Sequence, residues 1–129
     1  MKLVDITLFT QLCEEEWKND ELFEMANITS RYHGIENVVI WVGMANKQHG
    51  LRVKVSKLPN KMDLDPTNSF IIMMPSLDYD PTQVPNWIGR KTMIKILNWI
   101  TLNQQLLYDY ENGVIQDTGL FLDNISKIQ

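Results

Sequence analysis

The stretch VVIWVGMANKQHGLRVKVS, residues 38–56, decides the fold that this sequence predicts. Residues 38–42 form a short, β-branched apolar run, which is typical of a strand buried on both faces. Residues 51–56 alternate between apolar and polar side chains, which predicts a second strand with an apolar core face and a polar opposite face. The turn-rich residues 46–50 between them predict that the two strands form a β-hairpin.

Downstream of the hairpin, the pattern predicts one more strand and two helices. The apolar run over residues 69–74 lies between Pro66 and Pro75, which bound a third strand. Residues 91–112 carry apolar side chains at helical spacing and predict one long helix. A last short helix is predicted to begin near residue 117 or 118.

Upstream of the hairpin, two helices are predicted. The first begins near Asp5 or Thr7, and the second runs from residue 19 or 20 to Gly34, a residue suited to a helix stop. The predicted order is therefore ααβββαα. It indicates an α+β fold in which a small three-stranded antiparallel sheet carries two N-terminal and two C-terminal helices.

The composition places the chain among globular proteins. Its 129 residues fit a single domain, 1–129, and the apolar fraction of 44% argues against disorder. A lone Cys13 excludes an intramolecular disulfide and favours a reducing compartment. Neither a secretory signal nor an apolar run of the roughly 20 residues that a membrane span requires is recognised, so we expect a cytoplasmic protein.

The charge is unevenly distributed along the chain. Residues 41–61 contain five basic residues and no acid, whereas residues 1–40 hold eight acids against three bases and residues 62–129 hold eight against four. The net charge of −4 thus conceals a local cationic segment. Such asymmetry indicates an electrically polarised surface that suits a charged partner.

The basic hairpin is one candidate binding surface. Arg52 and Lys54 are expected side by side on the polar face of the second strand, with further basic side chains from the adjoining turns: Lys47, His49, Lys57 and Lys61. The cluster suits phosphate contacts with Trp41 as a stacking ring, a protein partner, or a solvated or internally paired face. An isoelectric point near 5.1 argues against a dedicated nucleic-acid binder.

The proline-rich stretch over residues 75–89 is a second candidate surface. It carries Tyr79 and Trp87, and aromatic residues are enriched in interface hot spots. In the alternative interpretation, Trp87 folds back over the start of the long helix. Arg90 and Lys91 fall in the first turn of that helix, where cations oppose the helix dipole.

Catalytic and metal-binding patterns are weak. Cys13 lies on an apolar helical stripe, which favours a buried side chain over a Cys–His pair with His33 or His49. The acidic pairs Asp63/Asp65 and Asp78/Asp80 suit a hard cation such as Mg²⁺, but Asp before Pro is also ordinary turn chemistry. No catalytic residue, metal site or cofactor is predicted, and a small metal-dependent enzyme stays an alternative.

Two runs resemble sequences of a broad class of proteins. HGLRVKVS at residues 49–56 and ILNWITLN at residues 96–103 resemble small accessory proteins of phages and other mobile elements, over about residues 33–112. The resemblance implies a category that includes inhibitors of host defence systems. That category has no shared motif, so the resemblance implies no site residues.

These observations predict a non-catalytic interaction protein of anti-CRISPR type, acting in the host cell on a host protein or nuclease complex. Acidic residues would imitate nucleic-acid charge in a basic groove of the partner. The expected contact residues are Glu14, Glu15, Glu16, Arg52, Lys54, Lys57, Tyr79, Trp87, Arg90 and Lys91. Direct nucleic-acid binding through residues 47–61 and a homodimer through the open sheet edge are alternatives, and no membrane partner is expected.

Overall fold

The computed structural model describes residues 25–43, 51–61 and 66–128. Within these ranges, four strands form one antiparallel sheet in chain order. They are β1 (Met25–Ile28), β2 (Ile40–Gly43), β3 (Arg52–Ser56) and β4 (Ser69–Met73). The predicted pairing of the two hairpin strands and the third strand after them are confirmed.

The strand register separates the sheet into two faces. Ile40 lies opposite Val55, and Val55 lies opposite Phe70, so these three side chains share one face. That face belongs to the main hydrophobic core, to which the sheet contributes Ala26, Ile28, Ile40, Val42, Val53, Val55, Phe70 and Ile72. The alternation over residues 51–56 therefore predicted the core face of β3 correctly.

Helices cover the core face of the sheet. In the described part of the chain these are α1 (Ser30–His33), α2 (Arg90–Leu102), α3 (Gln104–Glu111) and α4 (Thr118–Asp123), and 3-10 turns span Pro66–Asn68 and Pro81–Gln83. The buried residues of α2 are Met93, Ile96, Trp99 and Ile100, and all belong to the same core cluster as the sheet. Because sheet and helices bury one shared apolar interior, the α+β class is confirmed.

The predicted second helix, from residue 19 or 20 to Gly34, is wrong over its described part. Residues 25–28 form the extra strand β1, and only the single turn α1 is helical. Ala26 and Ile28 are buried on either side of exposed Asn27, a period of two that suits a strand paired with β2. Gly34 nevertheless ends α1 in the left-handed conformation, at φ 80°, as predicted.

The predicted single helix over residues 91–112 is two helices, α2 and α3, which meet at Asn103. The Asn103 side chain donates to the carbonyl oxygen of Trp99 at 3.0 Å and also bonds the chain at Ser126. Asn103 has φ −103° and ψ 15°, which separates the two helices, although its own N–H still bonds the Trp99 carbonyl oxygen at 3.0 Å. The last helix begins at Thr118, as predicted, and the Asp117 side chain caps it.

The first predicted helix and Cys13 lie outside the described residues. Within the ranges that are described, no helix is long and apolar enough to cross a membrane.

Candidate functional site

Of the alternatives left open for Arg52 and Lys54, those that require an exposed surface, including their role as contact residues for a partner, disagree with the structure. Only 5% of Arg52 and 1% of Lys54 are exposed, and both side chains interact with other groups. β3 lies between β2 and β4, and the residues beside Lys54 in the register, Trp41 and Ile71, are 1% and 4% exposed. The face opposite the core is therefore also buried here, and neither the cations nor the Trp41 ring is available at the surface.

Lys57 and Trp87 connect the end of β3 to the proline-rich stretch. The Trp87 indole Nε1–H donates to the Lys57 carbonyl oxygen at 2.6 Å, and Lys57 Nζ donates to the Gln83 side-chain oxygen. Trp87 is half-buried and packs against the core cluster. Trp87 therefore folds back onto the core and bonds the chain after β3, whereas the interpretation from sequence placed it over the start of the long helix, and the arrangement gives Lys57 and Trp87 structural contacts.

The acidic pair at Asp78 and Asp80 is divided between two environments. Asp78 is exposed, whereas Asp80 is buried and accepts from the Thr82 N–H at 3.0 Å and the Thr82 hydroxyl at 2.7 Å. Asp80 thereby caps the 3-10 turn that follows it. The described ranges contain no group of three His, Cys, Asp or Glu that could hold a metal, and Asp63 and Asp65 lie outside them.

His33 is a buried structural residue. Its Nδ1 accepts the Ile35 N–H at 2.9 Å, which leaves the proton on Nε2 to bond the Val38 carbonyl oxygen at 2.8 Å. Burial lowers the pKa of His33 from its ordinary 6.5 to about 4, although the backbone bonds to Val38 and Ile28 oppose the shift. Cys13 and His49, the other members of the proposed Cys–His pairs, lie outside the described residues.

The structure brings Tyr79 and Arg90 together in an open apolar groove of about 420 Å³. We call it the α2 groove; its lining is Tyr79, Pro81, Val84, Ile88, Gly89, Arg90, Met93, Ile94 and Leu97. One wall is the chain before α2, and the other is one face of α2, with four residues at helical spacing. The groove exists because the proline-rich stretch packs beside α2 without covering it.

The rim of the α2 groove is cationic. Arg90 and Lys91 are exposed in the first turn of α2, which contains no acidic residue, and Gly89 supplies no side-chain cap. Residues 81–108 contain Arg90, Lys91 and Lys95 but no Asp or Glu. This acid-free segment indicates a second cationic surface in the sequence, which was overlooked because its basic residues are more widely spaced than those at residues 41–61.

A smaller pit lies near the groove. It measures about 280 Å³, and its lining is Gly34, Ile35, Glu36, Asn37, Trp87, Thr92 and Lys95. Trp87 contributes to this pit and Tyr79 to the α2 groove, so the two aromatic candidates belong to different surfaces.

The other predicted contact residues line neither cavity or lie outside the described residues. Lys91 is exposed at the start of α2 and lines neither cavity. Glu14, Glu15 and Glu16 lie outside the described residues. Comparison with known proteins adds no assignment, because no family model, curated protein or solved structure matches this chain.

Proposed function

We propose that this chain is a non-catalytic interaction protein of the phage-accessory kind, which binds and inhibits a host protein or nuclease complex. The observation that carries the proposal is the α2 groove, where an aromatic ring, a guanidinium group and exposed apolar side chains share one open surface. The resemblance to phage accessory proteins supports the biological class, and the groove supports the mode of action.

The chemistry of the groove suits a protein partner. Tyr and Arg are enriched among residues that dominate binding energy, and interfaces typically combine an apolar centre with a polar rim. Here Ile94 is 48% exposed beside buried Ile88 and Met93, and Arg90 stands at the rim. An exposed apolar side chain over a buried apolar floor offers a partner area to remove from water.

Nucleic-acid binding through residues 47–61 is less well supported, because the two cations of β3 do not reach the surface. Phosphate binding requires cations that reach the surface, and Arg52 and Lys54 are buried. The metal-dependent enzyme is also less well supported. Both described hydrogen bonds of the Asp80 carboxylate are to Thr82 within a turn, which gives this carboxylate a structural role. A protein partner therefore fits the accessible side chains best.

The role proposed for Glu14, Glu15 and Glu16 stays a prediction. If these acids imitate nucleic-acid charge, the affinity for the partner should fall steeply with added salt, because screening weakens charge attraction between exposed groups. The triple substitution Glu14/Glu15/Glu16→Gln should then weaken binding and flatten its salt dependence. Salt-independent binding together with an unaffected triple variant would remove this mechanism.

Affinity capture tests the proposed function. The full chain is immobilised and incubated with bacterial host lysate, and retained proteins are identified by mass spectrometry. We expect one host protein or nuclease complex to be retained and its activity to fall when the purified chain is added in stoichiometric amount. A captured protein whose activity is unchanged by saturating chain would contradict inhibition, and absence of any specific capture would contradict the interaction.

A further inference from the structure

Building on the proposed function, we propose that the α2 groove binds an acidic amphipathic segment of the partner protein. Apolar side chains of that segment would occupy the groove, and its Asp or Glu carboxylates would contact Arg90 and Lys91.

The groove lining provides the apolar surface that the partner segment would contact. Ile88 and Met93 are buried at its base, Val84 and Leu97 are half-buried, and Ile94 is 48% exposed on the α2 side. The volume of about 420 Å³ falls within the range of about 300–1,000 Å³ found for ligand sites. Because the groove is open rather than enclosed, its shape suits side chains projecting from a larger partner.

The cations at the start of α2 provide the charged groups that the carboxylates of the partner segment would contact. Arg90 and Lys91 are exposed, and among the described residues neither side chain has an ion-pair or hydrogen-bond partner. The segment 81–108 supplies no carboxylate of its own, and the nearby Asp80 carboxylate is buried against Thr82. The start of α2 therefore presents two exposed cations and no carboxylate of its own, although Asp78 is exposed beside Tyr79 on the opposite wall, and this pair of cations favours an acidic group of the partner.

The arrangement argues for an acidic peptide rather than nucleic acid. Arg90 lines the groove and Lys91 follows it in the first turn of α2, so the cations are consecutive residues beside an apolar surface, whereas a phosphate backbone requires cations spaced along its path. An acidic amphipathic segment satisfies both chemistries at once, because it offers apolar anchors and carboxylates on neighbouring positions.

Selection from a displayed library of short random peptides tests the proposal, since the library samples apolar and acidic sequences alike. The full chain is the bait, and affinities of enriched peptides are measured by fluorescence anisotropy. We expect enriched peptides to combine apolar residues with neighbouring Asp or Glu, and to bind more weakly when each acid is replaced by its amide.

Substitutions in the groove locate the binding. Ile94→Asp and Arg90→Glu should each weaken binding of the enriched peptides about tenfold or more, because each introduces repulsion or an unpaired charge at the contact. The matched control is Leu120→Asp, which places the same charge on a residue of α4 that is 53% exposed and outside the groove. It should leave the affinity within about twofold of the parent chain.

The Arg90→Glu variant separates binding from folding. A carboxylate in the first turn of α2 interacts favourably with the positive end of the helix dipole. This variant should therefore be at least as stable as the parent chain. Loss of peptide binding at unchanged or raised melting temperature therefore reports the contact itself.

Several outcomes would overturn the groove proposal. They are enrichment of peptides without acids, failure to enrich any peptide, binding that survives both groove substitutions, and self-association of the chain that Ile94→Asp abolishes. The last would identify a second copy as the occupant. If the parent chain and the groove variants capture the same host protein equally, the proposed function stands and only the groove assignment falls.

Discussion

The side-chain amide of Asn103 and the main chain of Ser126 bond each other in both directions. Asn103 Nδ2 donates to the Ser126 carbonyl oxygen at 3.0 Å, and the Ser126 N–H donates to Asn103 Oδ1 at 2.8 Å. Asn103 is buried between α2 and α3, so this pair ties the C-terminal segment to the junction of two helices.

Replacing Asn103 by Asp should destabilise the fold by about 3 kcal/mol, because a near-isosteric change removes two donated bonds and buries a carboxylate beside carbonyl oxygens. Urea unfolding at neutral pH measures the change. The matched control is Asn124→Asp, an exposed residue whose amide bonds the Leu120 carbonyl oxygen. A loss at Asn103 no larger than at Asn124 would show that the Ser126 pairing contributes nothing to stability.

Stability should fall as the pH drops from about 6.5 towards 4, because burial lowers the pKa of His33 to about 4 in the folded chain. Between these pH values His33 is protonated in the unfolded chain but neutral in the folded chain, whereas above pH 6.5 it is neutral in both. From pH 7.5 to pH 5 the expected loss from this residue is about 2 kcal/mol.

Urea unfolding of the parent chain and of His33→Asn at both pH values tests this. Asn keeps an acceptor near the Ile35 N–H and does not titrate. The variant should be less stable at pH 7.5 yet lose less stability on acidification. Equal pH slopes for the two chains would contradict the assignment.

Gly34→Ala should cost about 2 kcal/mol or more, because two penalties combine at this position. Gly34 has φ 80°, and a Cβ built there lies 2.6 Å from the Ile128 carbonyl oxygen. Gly89→Ala adds the same methyl group where nothing lies within 4 Å, and it should cost less than about 1 kcal/mol. Thermal unfolding of both variants gives the comparison, and similar melting temperatures would refute the clash.

The hydroxyl pair of Tyr110 and Thr118 should show a coupling energy of about 0.5–1.5 kcal/mol in a double-mutant cycle. The two oxygens are 2.8 Å apart, and the Tyr110 ring stacks on Phe121 with centroids 4.1 Å apart. Tyr110→Phe and Thr118→Val remove the bond while the stacked ring is kept. Additive losses in denaturant unfolding of the double variant would exclude a stabilising bond.

The strands were predictable because their signals are local. β-branched runs and period-two alternation placed β2, β3 and β4. β1 was missed because residues 25–28 also fit a helical spacing, and only pairing with β2 selects the strand. The break at Asn103 was missed because apolar residues resume at Leu107, and the bond between Asn103 and Ser126 joins positions 23 residues apart, which no local spacing records.

The candidate site was predicted only in part. Arg90 was correctly placed in the first turn of a helix, and Trp87 folds back, but its bond is to Lys57 after β3 and not to the start of the helix. The burial of Arg52 and Lys54 could not be predicted, because alternation identifies two faces without showing whether the second is covered.

By itself, the sequence determined the apolar alternation of the hairpin, the stop at Gly34 and the charge of each segment, since these depend on neighbouring residues. Only the tertiary structure decided which cations reach solvent and that Tyr79 shares a groove with Arg90 and Leu97. The physical reason is that burial and cavities depend on how distant segments pack, and no local period records that packing.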